Sequence, residues 1–207
     1  MMTAKRCSWC ERDALYRAYH DEEWGRPIHD DRRLFELLVL ESFQVGLSWY
    51  TILAKREGFR AALDGFDYRL IAAYDDAKVE ALMQDTRIVR NRQKILATIQ
   101  NAARFMEVQQ EFGSFSAFIW AFVGGSPCVN HPRKLEDVPA STPTSDAVAT
   151  ELKRRGFKFF GTTVAYAFMQ SAGLVNDHIE DCAFKYPGCL HLHRRCFSQA
   201  SGLTESP

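Results

Sequence analysis

Four residues near the two ends of the chain have the types and spacing to hold a metal: Cys7, His20, His178 and, four residues on, Cys182. Zinc takes thiolate and imidazole ligands alike, and an H-x-x-x-C spacing puts two ligands on one helical face or in one tight loop. Together the four would close a tetrahedron that ties the chain ends and leaves no open position for a reacting water. Spacing alone equally allows separate buried thiols and surface histidines. Cys7 and Cys10 also form a CxxC, but no strand-rich, thioredoxin-like pattern surrounds it, and a second CxxC for a four-cysteine zinc site is missing. Cys189, His191, His193 and Cys196 form a second possible metal group in the tail.

Glu41 is the second residue with chemical potential. It follows Leu37-Leu-Val-Leu40 and precedes Ser42-Phe43, so a helix would carry its carboxylate inside a strongly apolar stretch. A buried carboxylate is costly unless paired, so Glu41 is either one half of an ion pair with an arginine or a functional group. Trp49 lies eight residues on, and Trp9, Tyr16, Tyr19 and Trp24 crowd the N-terminal arm. Aromatic clusters are ordinarily core. Joined to one carboxylate, they also supply what a flat, electron-poor ring needs: stacking walls and a charged acceptor.

The elements that must position these groups read as mainly helical. Residues 1–29 form a structured arm without clear periodicity. Asp30 or Asp31 caps a helix carrying Leu34, Leu37, Leu38 and Glu41, which Gly46 ends; Ser48 caps the next, running toward Gly58. Phe66–Met83 suits two short helices, Ile88–Phe105 a longer one after a basic turn, and Phe112–Val123 an aromatic one. Gly124–Pro143 reads as a long connector. Thr144 or Ser145 then caps a helix over Ala147–Arg155 that Gly156 ends, and Thr162–Leu174 forms a buried helix. The expected organisation is a single α-helical domain over residues 1–182, in two lobes, with a tail over 183–207.

Bulk properties narrow the class without naming it. With 46% apolar and 25% charged residues the chain is ordinary for a globular protein. No run approaches the ~20 apolar residues of a bilayer span, and the N-terminus lacks an apolar signal core, so a cytoplasmic location is expected. Net charge is zero, with 26 basic and 26 acidic side chains, which argues mildly against a partner held by phosphate neutralisation. The basic residues are nonetheless clustered, as Arg87, Arg90, Arg92 and Lys94, and as Lys153, Arg154, Arg155 and Lys158. Solvated helix faces would look the same.

Six strings, in order, carry a resemblance. Arg6-Cys7-Ser-Trp9-Cys10 leads into Tyr16-Arg-Ala-Tyr19-His20-Asp-Glu-Glu-Trp24-Gly25; then come Leu40-Glu41-Ser-Phe-Gln44-Val-Gly46-Leu-Ser-Trp49 and Arg87-Ile-Val-Arg90-Asn91-Arg92-Gln-Lys94-Ile95. Arg155-Gly-Phe-Lys158-Phe-Phe-Gly161-Thr-Thr and Phe168-Met-Gln170-Ser-Ala-Gly173-Leu-Val-Asn176-Asp177-His178 complete the set. From Arg6 to Cys182 the chain resembles the 3-methyladenine DNA glycosylase I family.

The resemblance implies an all-α fold of the helix-hairpin-helix glycosylase superfamily, with a structural zinc held by Cys7, His20, His178 and Cys182. It assigns the base pocket to Glu41, Tyr16, Tyr19, Trp49, Trp9 and Trp24. It also implies a hydrolase that excises N3-methyladenine from double-stranded DNA, and because no lysine stands convincingly as a Schiff-base nucleophile, a monofunctional enzyme is expected. Such an enzyme is expected to work as a monomer without an organic cofactor. Gly46 and Leu47 are the expected filler of the gap left by the flipped base, and Arg87, Arg90, Arg92 and Lys94 the expected contacts to the DNA backbone. Two departures from the family pattern stand out: Val45 where alanine is common, and no glycine in the turn around Thr86-Arg87. The competing readings are a zinc-scaffolded nucleic-acid-binding protein, a zinc hydrolase, and a relative acting on another alkylated base.

Overall fold

Asp30 accepts a hydrogen bond from the Arg33 amide and starts helix α2, Asp31–Gln44. From Leu34 to Phe43 only Glu36 escapes burial, so α2 must be surrounded rather than lie on a surface. Four neighbours pack on it: α3 (Trp49–Ala54), α7 (Arg92–Phe112), α8 (Phe115–Ala121) and α10 (Thr162–Ser171). The core continues through paired aromatics, with Phe35 edge-on to Phe105 at 5.1 Å and Phe105 stacked on Phe115 at 4.2 Å between ring centres. These relationships come from a computed structural model that describes residues 4–186.

The remaining helices are α1 (Ala14–Glu22), α4 (Arg56–Ala62), α5 (Tyr68–Ala72), α6 (Asp76–Gln84) and α9 (Pro143–Arg154). Helix α5 packs on α7, and α9 on α10. Two short strands, β1 (Cys128–Val129) and β2 (Val175–Asn176), pair in parallel, with Cys128 opposite Val175. Among the described residues no helix is long and apolar enough to cross a membrane.

Several expectations need correction. The N-terminal arm contains a helix, α1, capped by Asp13. Its buried face is Tyr19 and His20, so apolar periodicity could not reveal it. The helix expected from Ser48 toward Gly58 breaks at Lys55 into α3 and α4. Helix α7 runs past Phe105 to Phe112 and buries Val108. Helix α9 starts at Pro143, because Thr142 and Ser145 bond each other's amides in a capping box and proline suits the first helical turn. The connector is not featureless either: it supplies β1 and a 3₁₀ turn at Leu135–Asp137.

Packing also continues beyond Cys182. Lys185 is fully buried, its ammonium 2.6 Å from the Asn130 carbonyl and 2.7 Å from that of His178. Residues 183–185, expected in the tail, therefore belong to the folded body. Cys189, His191, His193 and Cys196 lie outside the described residues.

Candidate active site and metal centre

Helix α1 carries Tyr16 and Tyr19 to the surface of a cavity of about 370 Å³. Glu41 and Gln44 reach it from the end of α2, Trp49 from the start of α3, and Ala167, Gln170 and Ser171 from α10. Trp9 and Trp24 flank α1, with ring centres 5.0 Å apart and nearly perpendicular. Tyr19 leans on Trp49 at 5.4 Å, and Tyr16 meets Trp9 edge-on at 5.0 Å. All five aromatic residues singled out from sequence thus meet around one carboxylate.

Among the described residues no arginine pairs with that carboxyl group. Glu41 is 2% exposed, and Ser171 Oγ lies 2.5 Å from its Oε1. Among the described residues its Oε2 has no hydrogen-bond partner, and neither has the buried indole nitrogen of Trp49. Burial pushes the Glu41 carboxyl up to about 8, and the Ser171 hydrogen bond partly opposes that rise. Burial likewise raises the phenols of Tyr19 and Tyr16, so both stay neutral donors. Leaving a buried polar atom unmatched costs about 1–3 kcal/mol, so two such atoms around one cavity point to a ligand that supplies their partners.

Sequence reasoning missed Ser171, Gln44 and Gln170, together with Leu135 and Val138 of the connector. Ser171 sat inside a family-like string, but its orientation toward Glu41 depends on how α10 crosses α2. Nothing local to Leu135 and Val138 could have signalled a pocket whose carboxyl group, on Glu41, stands more than ninety residues earlier in the chain.

Between α2 and α3 the chain turns at Gly46, whose φ of +80° favours glycine. The turn exposes two apolar side chains, Val45 at 42% and Leu47 at 41%. Lys94 departs from its expected place. It is 6% exposed, and its ammonium donates to the carbonyls of Phe43 at 2.8 Å and Val45 at 2.6 Å. Those carbonyls sit at the C-terminus of α2, where a cation is favoured by the helix dipole and by orphan acceptors. Lys94 therefore holds the turn and does not present itself to a phosphate.

The turn joining α6 to α7 carries the remaining basic residues. The Arg87 amide and guanidinium both bond Asp85, and Arg92 pairs with Glu80. Arg90 is exposed and has no ion pair among the described residues. The turn lacks glycine, but the glycine needed for close approach stands opposite it: a Cβ on Gly58 would lie 2.5 Å from the Arg87 carbonyl oxygen.

Behind the aromatic wall, Cys7, His20, His178 and Cys182 are all buried and offer ligand atoms within 4.8 Å of one another. Cys182 Sγ lies 3.4 Å from His178 Nδ1 and 3.6 Å from His20 Nε2; the two ring nitrogens are 3.1 Å apart, and Cys7 Sγ is 3.7 Å from His178 Nδ1. Tetrahedral zinc with two thiolates and two imidazoles requires ligand–ligand edges of about 3.3–3.8 Å, so the donor set fits a metal. The outer ring nitrogens are also engaged, His20 Nδ1 with Asp21 at 2.7 Å and His178 Nε2 with the Trp24 carbonyl at 3.0 Å. Partners of that kind orient metal-binding imidazoles. Cys10 stays outside the cluster, its thiol donating to the Cys7 carbonyl.

A family model described as methyladenine glycosylase matches residues 9–186. The chain belongs to the methyladenine glycosylase family. It is 48% identical over 184 residues to DNA-3-methyladenine glycosylase 1 of Escherichia coli (strain K12), covering 89% of this chain and 98% of the relative. A crystal structure of 3-methyladenine DNA glycosylase I superposes with a TM-score of 0.84 at 51% identity, covering 86% of this chain and 98% of the other. A variant of 3-methyladenine DNA glycosylase I, solved in complex with 3-methyladenine, superposes with a TM-score of 0.85 at 35% identity, covering 87% and 97%. In this methyladenine glycosylase family member, one buried carboxyl group without an ion-pair partner among the described residues stands on an aromatic cavity.

Proposed function

We propose that this protein excises 3-methyladenine from alkylated double-stranded DNA by hydrolysing the N-glycosidic bond, as the first step of base excision repair. The observation that carries this reading is the buried Oε2 of Glu41, left without a partner beside an equally unpartnered Trp49 indole N–H on an aromatic cavity. A base inside a duplex is out of reach, so the enzyme must rotate it out of the stack, at a cost of about a few kcal/mol in lost pairing and stacking. The methylated ring is cationic, which weakens its glycosidic bond and makes it a leaving group that needs little acid catalysis.

Glu41 reads that cation. In the free protein burial favours the protonated acid, and the arriving positive ring favours the carboxylate, so binding exchanges a proton for a cationic base. Oε2 accepts a hydrogen bond from the base edge while Trp49 and the arm aromatics stack on its faces. Neutral adenine gains less from either contact. Glu41 thus serves as reader and electrostatic stabiliser, and water adds at the sugar carbon. Among the described residues the cavity lining contains no lysine to form a Schiff base, which favours a monofunctional enzyme that leaves the strand unbroken.

We assign Leu47, presented by the Gly46 turn, to the gap left in the stack, and the α6–α7 turn with Arg87, Arg90 and Arg92 to the DNA backbone, in the manner of a helix-hairpin-helix. Cys7, His20, His178 and Cys182 would hold a zinc ion that stabilises the fold and ties the chain ends; four protein ligands leave it no catalytic position. The domain acts as one unit in two lobes, working as a cytoplasmic monomer.

Tryptophan fluorescence tests the reading of the pocket. Free 3-methyladenine, protonated to its cation at mildly acidic pH, should quench it saturably, adenine much more weakly, and Glu41→Gln should erase the preference. Equal responses to both bases in the wild-type protein would overturn the assignment.

A further inference from the structure

Ser171 is the one hydrogen-bond partner of the Glu41 side chain among the described residues. It stands one helical turn after Ala167 on α10, and both residues line the cavity. Its oxygen has three neighbours: Glu41 Oε1 at 2.5 Å, the Tyr19 hydroxyl at 3.2 Å and the Ala167 carbonyl at 2.9 Å. A serine hydroxyl has a single proton to give. When Glu41 is ionised, that proton belongs to the carboxylate, and Tyr19, Ser171 and Glu41 form an unbroken donor-to-acceptor line. When Glu41 is neutral, its own proton can go to Ser171, which then turns its hydroxyl to the Ala167 carbonyl. The hydroxyl can therefore serve both protonation states without moving the carboxyl group.

We propose that Ser171 is a positioning residue for base reading: its hydroxyl fixes one carboxylate oxygen of Glu41 and leaves the other to face the cationic ring. The inference rests on Glu41 being the base reader. Facing Glu41 are Tyr16 and Tyr19 from α1, Gln44 from its own helix, Trp49 from α3, Gln170 from α10, and Leu135 and Val138 from the connector. The two tyrosines are the ionisable members, and among the described residues no lysine, arginine or histidine lines the cavity. Of the polar groups in the described lining, the Ser171 hydroxyl is the one within hydrogen-bond distance of the Glu41 carboxyl.

The test is the pH profile of kcat/KM for release of 3-methyladenine from methylated DNA, with the wild type, Ser171→Ala, Ser171→Thr and Glu41→Gln run side by side. Ser171→Ala should move the acidic limb upward by about one pH unit, with about a tenfold loss at pH 7 that recovers at high pH. Ser171→Thr, which keeps the hydroxyl, should return the limb toward its wild-type position. A ¹³C titration of the Glu41 carboxyl, assigned by its absence in Glu41→Gln, reads the same shift without turnover. A loss in Ser171→Ala that is uniform across pH, or a Glu41 titration unchanged by it, would overturn the proposal. Full activity in Glu41→Gln would instead defeat the underlying reading of Glu41, whatever Ser171 does.

Discussion

Lys94 Nζ lies 2.6 Å from the carbonyl oxygen of Val45, the residue that closes α2 before the Gly46 turn. The same ammonium bonds the Phe43 carbonyl, so one buried lysine on α7 fixes the segment that leads from Glu41 to Trp49.

That anchorage distinguishes Lys94 from the exposed basic residues around it. Lys94→Met should lower stability by about 1–3 kcal/mol through two orphaned carbonyls, read as a lower Tm or denaturant midpoint. It should leave the salt dependence of DNA binding unchanged. Arg90→Ala should do the reverse, keeping stability and reducing the slope of log K against log salt by about one. A reduced slope in Lys94→Met would contradict the capping role.

The four-residue Cys/His cluster predicts one tightly held zinc per chain, measured by elemental analysis of the purified protein. Cys182→Ser should lose the metal and unfold at a markedly lower temperature, because binding energy in such a site is folding energy. Activity should fall with the folded fraction. A well-folded Cys182→Ser protein that lost only turnover would point to a catalytic metal instead.

Glu41 also predicts how stability depends on pH. Its carboxyl ordinarily titrates near 4.5 and is raised to about 8 in the fold, so the folded state holds its proton more tightly than the unfolded chain. Its contribution to stability is complete below about 4.5 and is lost as pH climbs through about 8. Glu41→Gln, which cannot ionise, should therefore flatten the decline of stability across that window and gain on the wild type above it. Denaturant unfolding at a series of pH values measures this. A variant that is no more stable than the wild type at pH 9 would show that the carboxylate is better supported than its burial indicates.

Much of the site was legible in the chain because its residues are chemically unusual where they stand. A glutamate inside Leu-Leu-Val-Leu is expensive to bury, and Cys7, His20, His178 and Cys182 are the types that zinc selects; both survived folding as distinct features. Helices α2 and α7 were visible from apolar spacing, and α10 from an apolar run rich in small residues. Helix α1 was not, because its inward face is a tyrosine and a histidine that also serve the two sites. Lys94 was misread for a related reason: sequence records its charge but not that its side chain turns inward to the end of α2. Ser171, Leu135 and Val138 become pocket residues only through the crossing of α10 over α2 and the path of the connector, which no local pattern encodes.

The most direct test of the central claim uses duplex DNA enriched in N3-methyladenine and identifies what the metal-loaded protein releases. The expected products are free 3-methyladenine and an equal number of abasic sites in unbroken strands, with Glu41→Gln slower by about a hundredfold. Release of no 3-methyladenine by folded protein, or an undiminished rate in Glu41→Gln, would contradict it.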